Sequence, residues 1–373
     1  KHLETIMKQP IYFVGFCAFS LMLYISYMYS IENNSASKVM FKSVNHSQCE
    51  TQTGCFAHNS TSSTGRHVGS STNGEWGRKA LLQSCYTYSN CTATNICCDL
   101  HTYTAADITK CAEVILKSVD TMTPSRLSIV LVGDSRTRQI FTSLAHLLID
   151  TNMTYSIEKE GKSGELRDLV PLLFVFKYHD NIRLVSRDSP LNITFYHDPL
   201  LESWLPKLLK QWVAHPDTRP HLLQIGSGVH YLVFKGEKAF KMFSKKWSGL
   251  LPSLRALANN THAIVKIVDH VLVEYHTPDY AFALADESIN LLNSILTSLL
   301  RQYPNNILFW NSSMPLSDQY VDQCYKNKVT TKDHLWMCND PMHLGYFLIH
   351  QFRNEMLNSF CNKYLQLGDT YCI

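Results

Sequence analysis

A short apolar strand that runs directly into a Gly-Asp-Ser turn and then a helix constrains this chain more than any other feature. Residues 127–132 are β-branched and almost continuously apolar, which predicts a central parallel strand. Apolar residues after Ser135 repeat with helical spacing, so a helix is expected to begin at this turn. Ser135 would then lie at a helix N-terminus, which favours developing negative charge. This is where a nucleophilic serine is found in an α/β enzyme.

Near the other end of the chain, an aspartate and a histidine could supply the base that such a serine needs. Asp340 and His343 are three residues apart, so the carboxylate can orient the imidazole that deprotonates Ser135. Each motif alone is common in turns, but their order and context together fit one architecture. We therefore predict a catalytic triad of Ser135, His343 and Asp340, with Cys324 and Cys338 able to pin the loop that bears Asp340.

Alternating strand and helix patterns predict an α/β fold with a parallel sheet flanked by helices on both faces. The spacing predicts further strands at residues 172–176, 182–185, 193–196, 222–225, 263–268 and 307–310. It predicts helices at 204–213, at 240–258 with an interruption near Pro252, at 286–303 with Asp286 as cap, and at 343–365. At least two of the strands between 172 and 196 are expected to form an antiparallel excursion.

These motifs resemble the SGNH hydrolase superfamily in its PC-esterase branch. The run Gly133-Asp134-Ser135-Arg136-x-Arg138-Gln139, with Asp340-x-x-His343-Leu344, is similar to the luminal catalytic domain of the sialate O-acetyltransferases. Weaker likeness at 98–111, 193–199 and 225–228 extends the resemblance over roughly residues 76 to 363. The resemblance implies a three-layer SGNH-hydrolase-like fold and an acyl-enzyme on Ser135. It also implies O-acetyl transfer to sialic acid or a related glycan, with acetyl-CoA as a possible donor and no other cofactor.

The third conserved block departs from the pattern of many SGNH enzymes. It reads Gly226-Ser227-Gly228 and lacks the asparagine that usually completes the oxyanion hole. We expect the backbone N–H groups of Ser135 and Gly226, with the hydroxyl of Ser227, to take that role. The sialate O-acetyltransferases that this chain resembles lack this asparagine as well.

Two further side chains are expected to bind the substrate. Arg136 lies near a helix N-terminus, where a cation is unfavourable, so we expect it to contact an anionic group such as a sialic acid carboxylate. The alternatives for Arg136 are exposure to solvent or pairing with Asp134. His230 follows the third block and is expected to line the cleft.

The N-terminal third predicts a membrane-anchored organisation. Residues 11–30 are one apolar stretch preceded by Lys1 and Lys8, which predicts a transmembrane anchor with residues 1–10 in the cytosol. A cleaved signal peptide is the alternative. Residues 31–75 have the composition of a flexible luminal stem, and 76–373 form the predicted domain, with a cysteine-rich lead-in at 76–111.

Cysteine usage and glycosylation sequons favour the secretory pathway, and with the resemblance they predict a Golgi membrane protein whose domain faces the lumen. The chain has 12 cysteines, and all but Cys17 follow the predicted span. The remaining number is odd, so we expect one thiol to be free or to pair with another chain. The sequons begin at Asn33, Asn45, Asn59, Asn90, Asn152, Asn192, Asn259 and Asn311.

Composition also excludes some functions and leaves others open. A net charge of +3 without a basic run argues against nucleic-acid binding. The cysteines and histidines do not have the spacing of zinc ligands, so we predict no metal site. The transferases that the chain resembles continue into a multi-spanning membrane portion, which raises a membrane acyl-donor partner as an expectation. A glycan O-acetyl esterase is the first alternative function. The second is an anchored, non-catalytic glycan-binding module.

Overall fold

The computed structural model describes residues 86–89, 92–95, 101–118, 126–175, 179–273, 277–302, 307–327 and 334–367. The predicted cytosolic tail, membrane anchor and stem lie outside these ranges. Among the helices within the ranges, none combines the length and the apolar character of a membrane span.

An eight-stranded mixed sheet forms the centre of the domain, with strand order β10-β9-β8-β3-β7-β6-β4-β5. The five strands from β10 to β7 are parallel, whereas β6, β4 and β5 pair antiparallel at one edge. A separate hairpin pairs β1 with β2. The strands are β1 Tyr86–Ser89, β2 Thr92–Asn95, β3 Leu127–Gly133, β4 Met153–Ile157, β5 Lys162–Glu165, β6 Ile182–Ser186, β7 Leu191–His197, β8 Leu222–Gly226, β9 His262–Lys266 and β10 Ile307–Trp310.

Ten α-helices in the described part of the chain connect or cover the strands. They are α1 Ala105–Ser118, α2 Ser135–Leu147, α3 Leu166–Val175, α4 Leu205–Ala214, α5 Val229–Lys235, α6 Ala239–Ala258, α7 Pro278–Ala283, α8 Asp286–Arg301, α9 Ser313–Asn327 and α10 Tyr346–Leu365. Short 3₁₀ turns follow α4 and α5.

The central strand β3 divides its side chains between two hydrophobic cores. Leu127, Ile129 and Leu131 pack into a core shared with α1, α2, α3, α9 and α10. Val130 and Val132 face the opposite core, which contains residues of α4, α5, α6 and α8. This alternation follows from the two-residue period of a strand. The sheet therefore has helices on both faces, as the sequence predicts, although the predicted parallel sheet is a mixed one.

The predicted strand at 172–176 is wrong, because its described residues belong to helix α3. Leu166, Leu169, Val170 and Leu173 are all buried, and their spacing is helical. The apolar run was too short for its period to be read correctly. The expected antiparallel excursion is confirmed by β6, which pairs antiparallel with β7 and with β4.

Other differences concern helix boundaries and elements without a clear pattern. Helix α6 continues through Pro252, and α8 is capped at Ala285 rather than at Asp286. The closing helix begins at Tyr346, after the loop that bears His343. Sequence patterns did not identify the strands β1, β2, β4 and β5 or the helices α1, α5, α7 and α9.

Candidate active site

The Gly-Asp-Ser turn joins β3 directly to helix α2. Ser135 is the first residue of α2, and the carboxylate of Asp134 caps the helix by accepting the N–H of Arg136 at 3.0 Å. A Cβ atom at Gly133 would lie 1.9 Å from the carbonyl oxygen of Gly226, so the close approach of β3 and β8 requires glycine there. The sheet and the cap together fix the Ser135 backbone.

The loop before α10 carries Asp340 and His343 in one turn. The Asp340 carboxylate accepts the backbone N–H groups of Met342 at 2.8 Å and His343 at 3.0 Å. The same carboxylate lies 2.9 Å from Nδ1 of the His343 ring. The disulfide between Cys324 and Cys338, which the sequence suggests, is present and fixes the chain two residues before Asp340.

Ser135 and His343 meet although 208 residues separate them in sequence. Oγ of Ser135 lies 2.8 Å from Nε2 of His343, and both residues are at most 9% exposed. With the Asp340 carboxylate at Nδ1, the ring nitrogen that carries the proton is assigned as Nδ1. Nε2 is then free to accept the serine hydroxyl. The structure thus brings the three predicted residues into one continuous line of hydrogen bonds.

Asp340 is held as a carboxylate. Burial by itself would raise its pKa, but hydrogen bonds from the His343 ring and from two backbone N–H groups bring the pKa well below its ordinary value. An ionised Asp340 can hold the His343 ring in one orientation and would favour a protonated imidazole over a neutral one.

Arg136 does not have the position expected of a substrate ligand. Its Nε donates to the carbonyl of Met342 at 2.8 Å, and its Nη1 donates to the carbonyl of Asp269 at 2.7 Å. The remaining Nη2 is enclosed and has no hydrogen-bond partner among the described residues. Neither expected alternative applies, because the guanidinium is turned inward and bonds to backbone carbonyls rather than to Asp134. Arg136 thus connects the loop that carries His343 to the segment after β9, a position that differs from the substrate contact expected from the sequence.

The oxyanion candidates divide into backbone and side-chain groups. The Ser227 hydroxyl donates to the carbonyl of Pro199, which corrects its expected role as an oxyanion donor. The carbonyl of Gly226 accepts from the N–H of Asp134 and from the Thr137 hydroxyl, so the third block supports the serine turn directly. The N–H of Ser135 is the first of α2, where helix geometry provides no internal acceptor.

Two more histidines border the serine turn. His230 lies in the first turn of α5, half-buried, with its ring 5.3 Å from the Phe234 ring. Burial lowers the pKa of His230, and the nearby His343 lowers it further. His197 pairs with Gly133 in the sheet, and burial lowers its pKa to about 4. His197 ends β7, and β7 pairs with β3, the strand that leads to Ser135. Its position at the end of a predicted strand was the sequence signal for its place near the serine turn.

Gln139 belongs to the motif that begins at Gly133, and the sequence alone does not indicate its role. It lies four residues after Ser135 and therefore on the same face of α2. Its side chain bonds to the backbone of Leu344, the residue after His343. Helical spacing from Ser135 was the available signal.

The charged residues that follow β9 have partners of their own. Asp269 bonds to the ammonium group of Lys266 and accepts the Ser313 hydroxyl at 2.9 Å. His270 bonds to Asp318, and in the described ranges no three His, Cys, Asp or Glu side chains are grouped so as to hold a metal ion.

The similarity of this chain to known proteins is remote. No model of a known protein family matches the chain, and no curated protein matches it in sequence. One solved structure, described as "Peptidoglycan O-acetylesterase in action, 5 min", aligns with 71% of this chain and 99% of its own length. The identity is 10% and the TM-score 0.39, a level of similarity that identifies neither family nor activity.

Proposed function

We propose that this protein is a serine-dependent enzyme acting on carboxylic esters, with Ser135 as nucleophile, His343 as base and Asp340 orienting His343. The observation that supports the proposal is the line of hydrogen bonds from Asp340 through His343 to the Ser135 hydroxyl. Intact hydrogen bonding of all three side chains, at the start of a helix, argues against the alternative of a non-catalytic glycan-binding module.

In the proposed reaction, His343 Nε2 takes the proton of Ser135 as Oγ attacks the ester carbonyl. The tetrahedral intermediate collapses when the alcohol leaves with the proton from His343, and an acyl group stays on Oγ. Water or a second hydroxyl then attacks the acyl-enzyme, and His343 takes its proton and returns one to Ser135. The N–H of Ser135, and that of Gly226, would stabilise the oxyanion.

The finer proposal is O-acetyl transfer on glycans, with sialic acid as acceptor and acetyl-CoA as a possible donor. It rests on the resemblance of the motifs around Ser135 and His343. Arg136 no longer supports an anionic substrate such as sialic acid, since its guanidinium bonds to two backbone carbonyls. A Golgi membrane location with a luminal domain, and a disulfide-linked or membrane acyl-donor partner, remain proposals drawn from the cysteines, the sequons and the resemblance. Glycan O-acetyl ester hydrolysis differs only in that water resolves the acyl-enzyme.

Covalent labelling tests the serine-enzyme proposal. The purified full chain is incubated with a fluorophosphonate probe, and the labelled peptide is identified by mass spectrometry. We expect a single adduct on Ser135 and none in Ser135→Ala. A folded wild-type protein that takes no label, or labelling that survives Ser135→Ala, rejects the proposal.

A second experiment separates transfer from hydrolysis. The same protein is incubated with acetylated and unacetylated sialic acids, with and without acetyl-CoA, and the products are read by mass spectrometry. Acetylation that needs acetyl-CoA supports the transferase, and loss of acetyl groups without donor supports the esterase. Activity on p-nitrophenyl acetate alone would retain the ester chemistry and reject sialic acid as the substrate.

A further inference from the structure

The amide of Gln139 makes a two-way contact with the backbone beside His343. Its Nε2 donates to the carbonyl of Leu344 at 2.7 Å, and its Oε1 accepts the N–H of the same residue at 3.4 Å. Gln139 is only 3% exposed, so these bonds form away from competing water. An amide is suited to this task because it carries a donor and an acceptor side by side.

A second side chain from the same helix holds the other side of His343. Arg136 donates from Nε to the carbonyl of Met342, the residue before His343. Residues 136 and 139 are three apart, so both project from one region of α2. The peptide groups on each side of the base are thus held by the helix whose first residue is Ser135.

The base is also held locally, but those contacts do not fix its distance to the serine. The Asp340 carboxylate accepts the N–H groups of Met342 and His343, and the Cys324–Cys338 disulfide fixes the chain before the loop. These bonds give the loop its shape. The bonds from Arg136 and Gln139 connect that loop directly to α2, the helix that begins at Ser135.

We propose that Gln139 is a positioning residue that sets the distance between His343 and Ser135, and this inference rests on the proposed serine chemistry. Gln139 touches the backbone next to the base and has no role as an acid, a base or an oxyanion donor. It is expected to affect the rate of the reaction at Ser135 rather than the affinity for substrate.

The first test compares Gln139→Met with Ser143→Ala in the full chain. Met fills a similar volume but cannot form either bond to Leu344. Ser143→Ala is the matched control, because it removes a part-buried 2.7 Å bond from the same helix to His350, outside the loop that carries Asp340 and His343. We expect Gln139→Met to slow fluorophosphonate labelling per folded molecule by about 10- to 100-fold, as misplaced catalytic groups do. The KM of Gln139→Met for p-nitrophenyl acetate should change little. The labelling rate of Ser143→Ala should also stay close to that of wild type. Equal losses in both variants, or wild-type labelling by folded Gln139→Met, would overturn the inference.

The second test uses pH to distinguish positioning from packing. In Gln139→Glu, a protonated carboxyl can still donate to the Leu344 carbonyl and accept its N–H, whereas the ionised form can only accept. Burial raises the pKa of such a carboxyl. The labelling rate relative to wild type should therefore rise as pH falls from about 8 to about 5. The same ratio for Gln139→Met should stay flat, and parallel profiles for the two variants would contradict a positioning role.

A measurement without activity separates this inference from the proposed function. Crystal structures of wild type and Gln139→Met give the distance from Ser135 Oγ to His343 Nε2 directly. We expect the 2.8 Å contact of the wild type to lengthen beyond hydrogen-bonding range in the variant. An unchanged distance refutes the positioning role even if wild type takes no label. A lengthened distance in a protein that takes no label would reject only the serine chemistry.

Discussion

Two groups of buried polar side chains meet at the guanidinium of Arg136, and they are organised differently. The triad cluster of Ser135, His343 and Asp340 lies on one side, reached through the Met342 carbonyl. The Lys266 cluster, which consists of Lys266, Asp269 and Ser313, lies on the other side and is reached through the Asp269 carbonyl. Glu355 interacts with Lys266 through its charge and accepts hydrogen bonds from Trp310 and Ser312. The Asp340 side chain keeps 18% of its surface exposed, compared with 3% for Asp269.

The difference is in where the hydrogen bonds lead. In the triad cluster they run in one direction and end at a hydroxyl at the start of a helix. In the Lys266 cluster they converge on one carboxylate, because Asp269 binds both Lys266 and Ser313. The Lys266 ammonium also lies 4.7 Å from the Phe352 ring centre. Burial and charge therefore do not mark a catalytic site. The proposed chemistry depends instead on a line of bonds that ends at a serine hydroxyl.

Removing the end of the triad line should have the largest effect. We expect Ser135→Ala to lower turnover of an activated ester by about 10⁴-fold or more, because the members of a triad act as a unit. The free energy of unfolding, measured with urea, should change by less than about 1 kcal/mol, since only one hydrogen bond is lost. Turnover within tenfold of wild type would place the reaction elsewhere.

The Lys266 cluster should respond in the opposite way. Lys266→Met leaves the Asp269 carboxylate buried without its ammonium partner, so the free energy of unfolding should fall by about 3–5 kcal/mol. Labelling of Ser135 per folded molecule should stay close to wild type. The double variant Lys266→Met/Asp269→Asn should recover part of the lost stability. A folded Lys266→Met protein without labelling would show that this cluster takes part in the chemistry.

Arg136 joins the two clusters, and its variants sharpen the comparison. The sequence alone predicts that Arg136→Ala affects anionic substrates selectively. The structure predicts equal losses of about 10- to 100-fold in kcat/KM on acidic and neutral esters, because the base-bearing loop loses a fixed contact. Arg136→Lys should recover only part of the lost kcat/KM, since a lysine cannot reproduce the planar geometry that reaches two carbonyls. A loss confined to acidic esters would restore the substrate role.

The smallest expected effect is a change in the pH dependence of stability. Burial raises the pKa of Glu355 from 4.5 to about 7, although hydrogen bonds from Trp310 and Ser312 oppose the shift. The folded state therefore retains a proton that the unfolded state releases. The stability from this proton is fully present below pH 4.5 and is lost as pH rises through about 7. Glu355→Gln cannot ionise, so its Tm relative to wild type should rise between about pH 5 and pH 8. A constant difference in Tm would show that Glu355 stays in one protonation state.

The sequence by itself identified what depends on local spacing and residue chemistry. The buried strand before Ser135 follows from its apolar run, and Asp340 is paired with His343 by a separation of three residues. The Cys324–Cys338 disulfide was likewise indicated, since it closes a sequence separation of only 14. Short apolar runs were less informative, and the run at 172–176 was read as a strand because its period could not be determined.

Only the tertiary structure decided what each polar side chain near the turn contacts. Arg136 meets carbonyls 206 and 133 residues away, and Gln139 meets one 205 residues away. No spacing in the sequence encodes such pairs, because they depend on how β9 and the loop before α10 pack against α2. The charge of Arg136 suggested an anionic ligand. Its burial among backbone carbonyls determines that it supports the base instead.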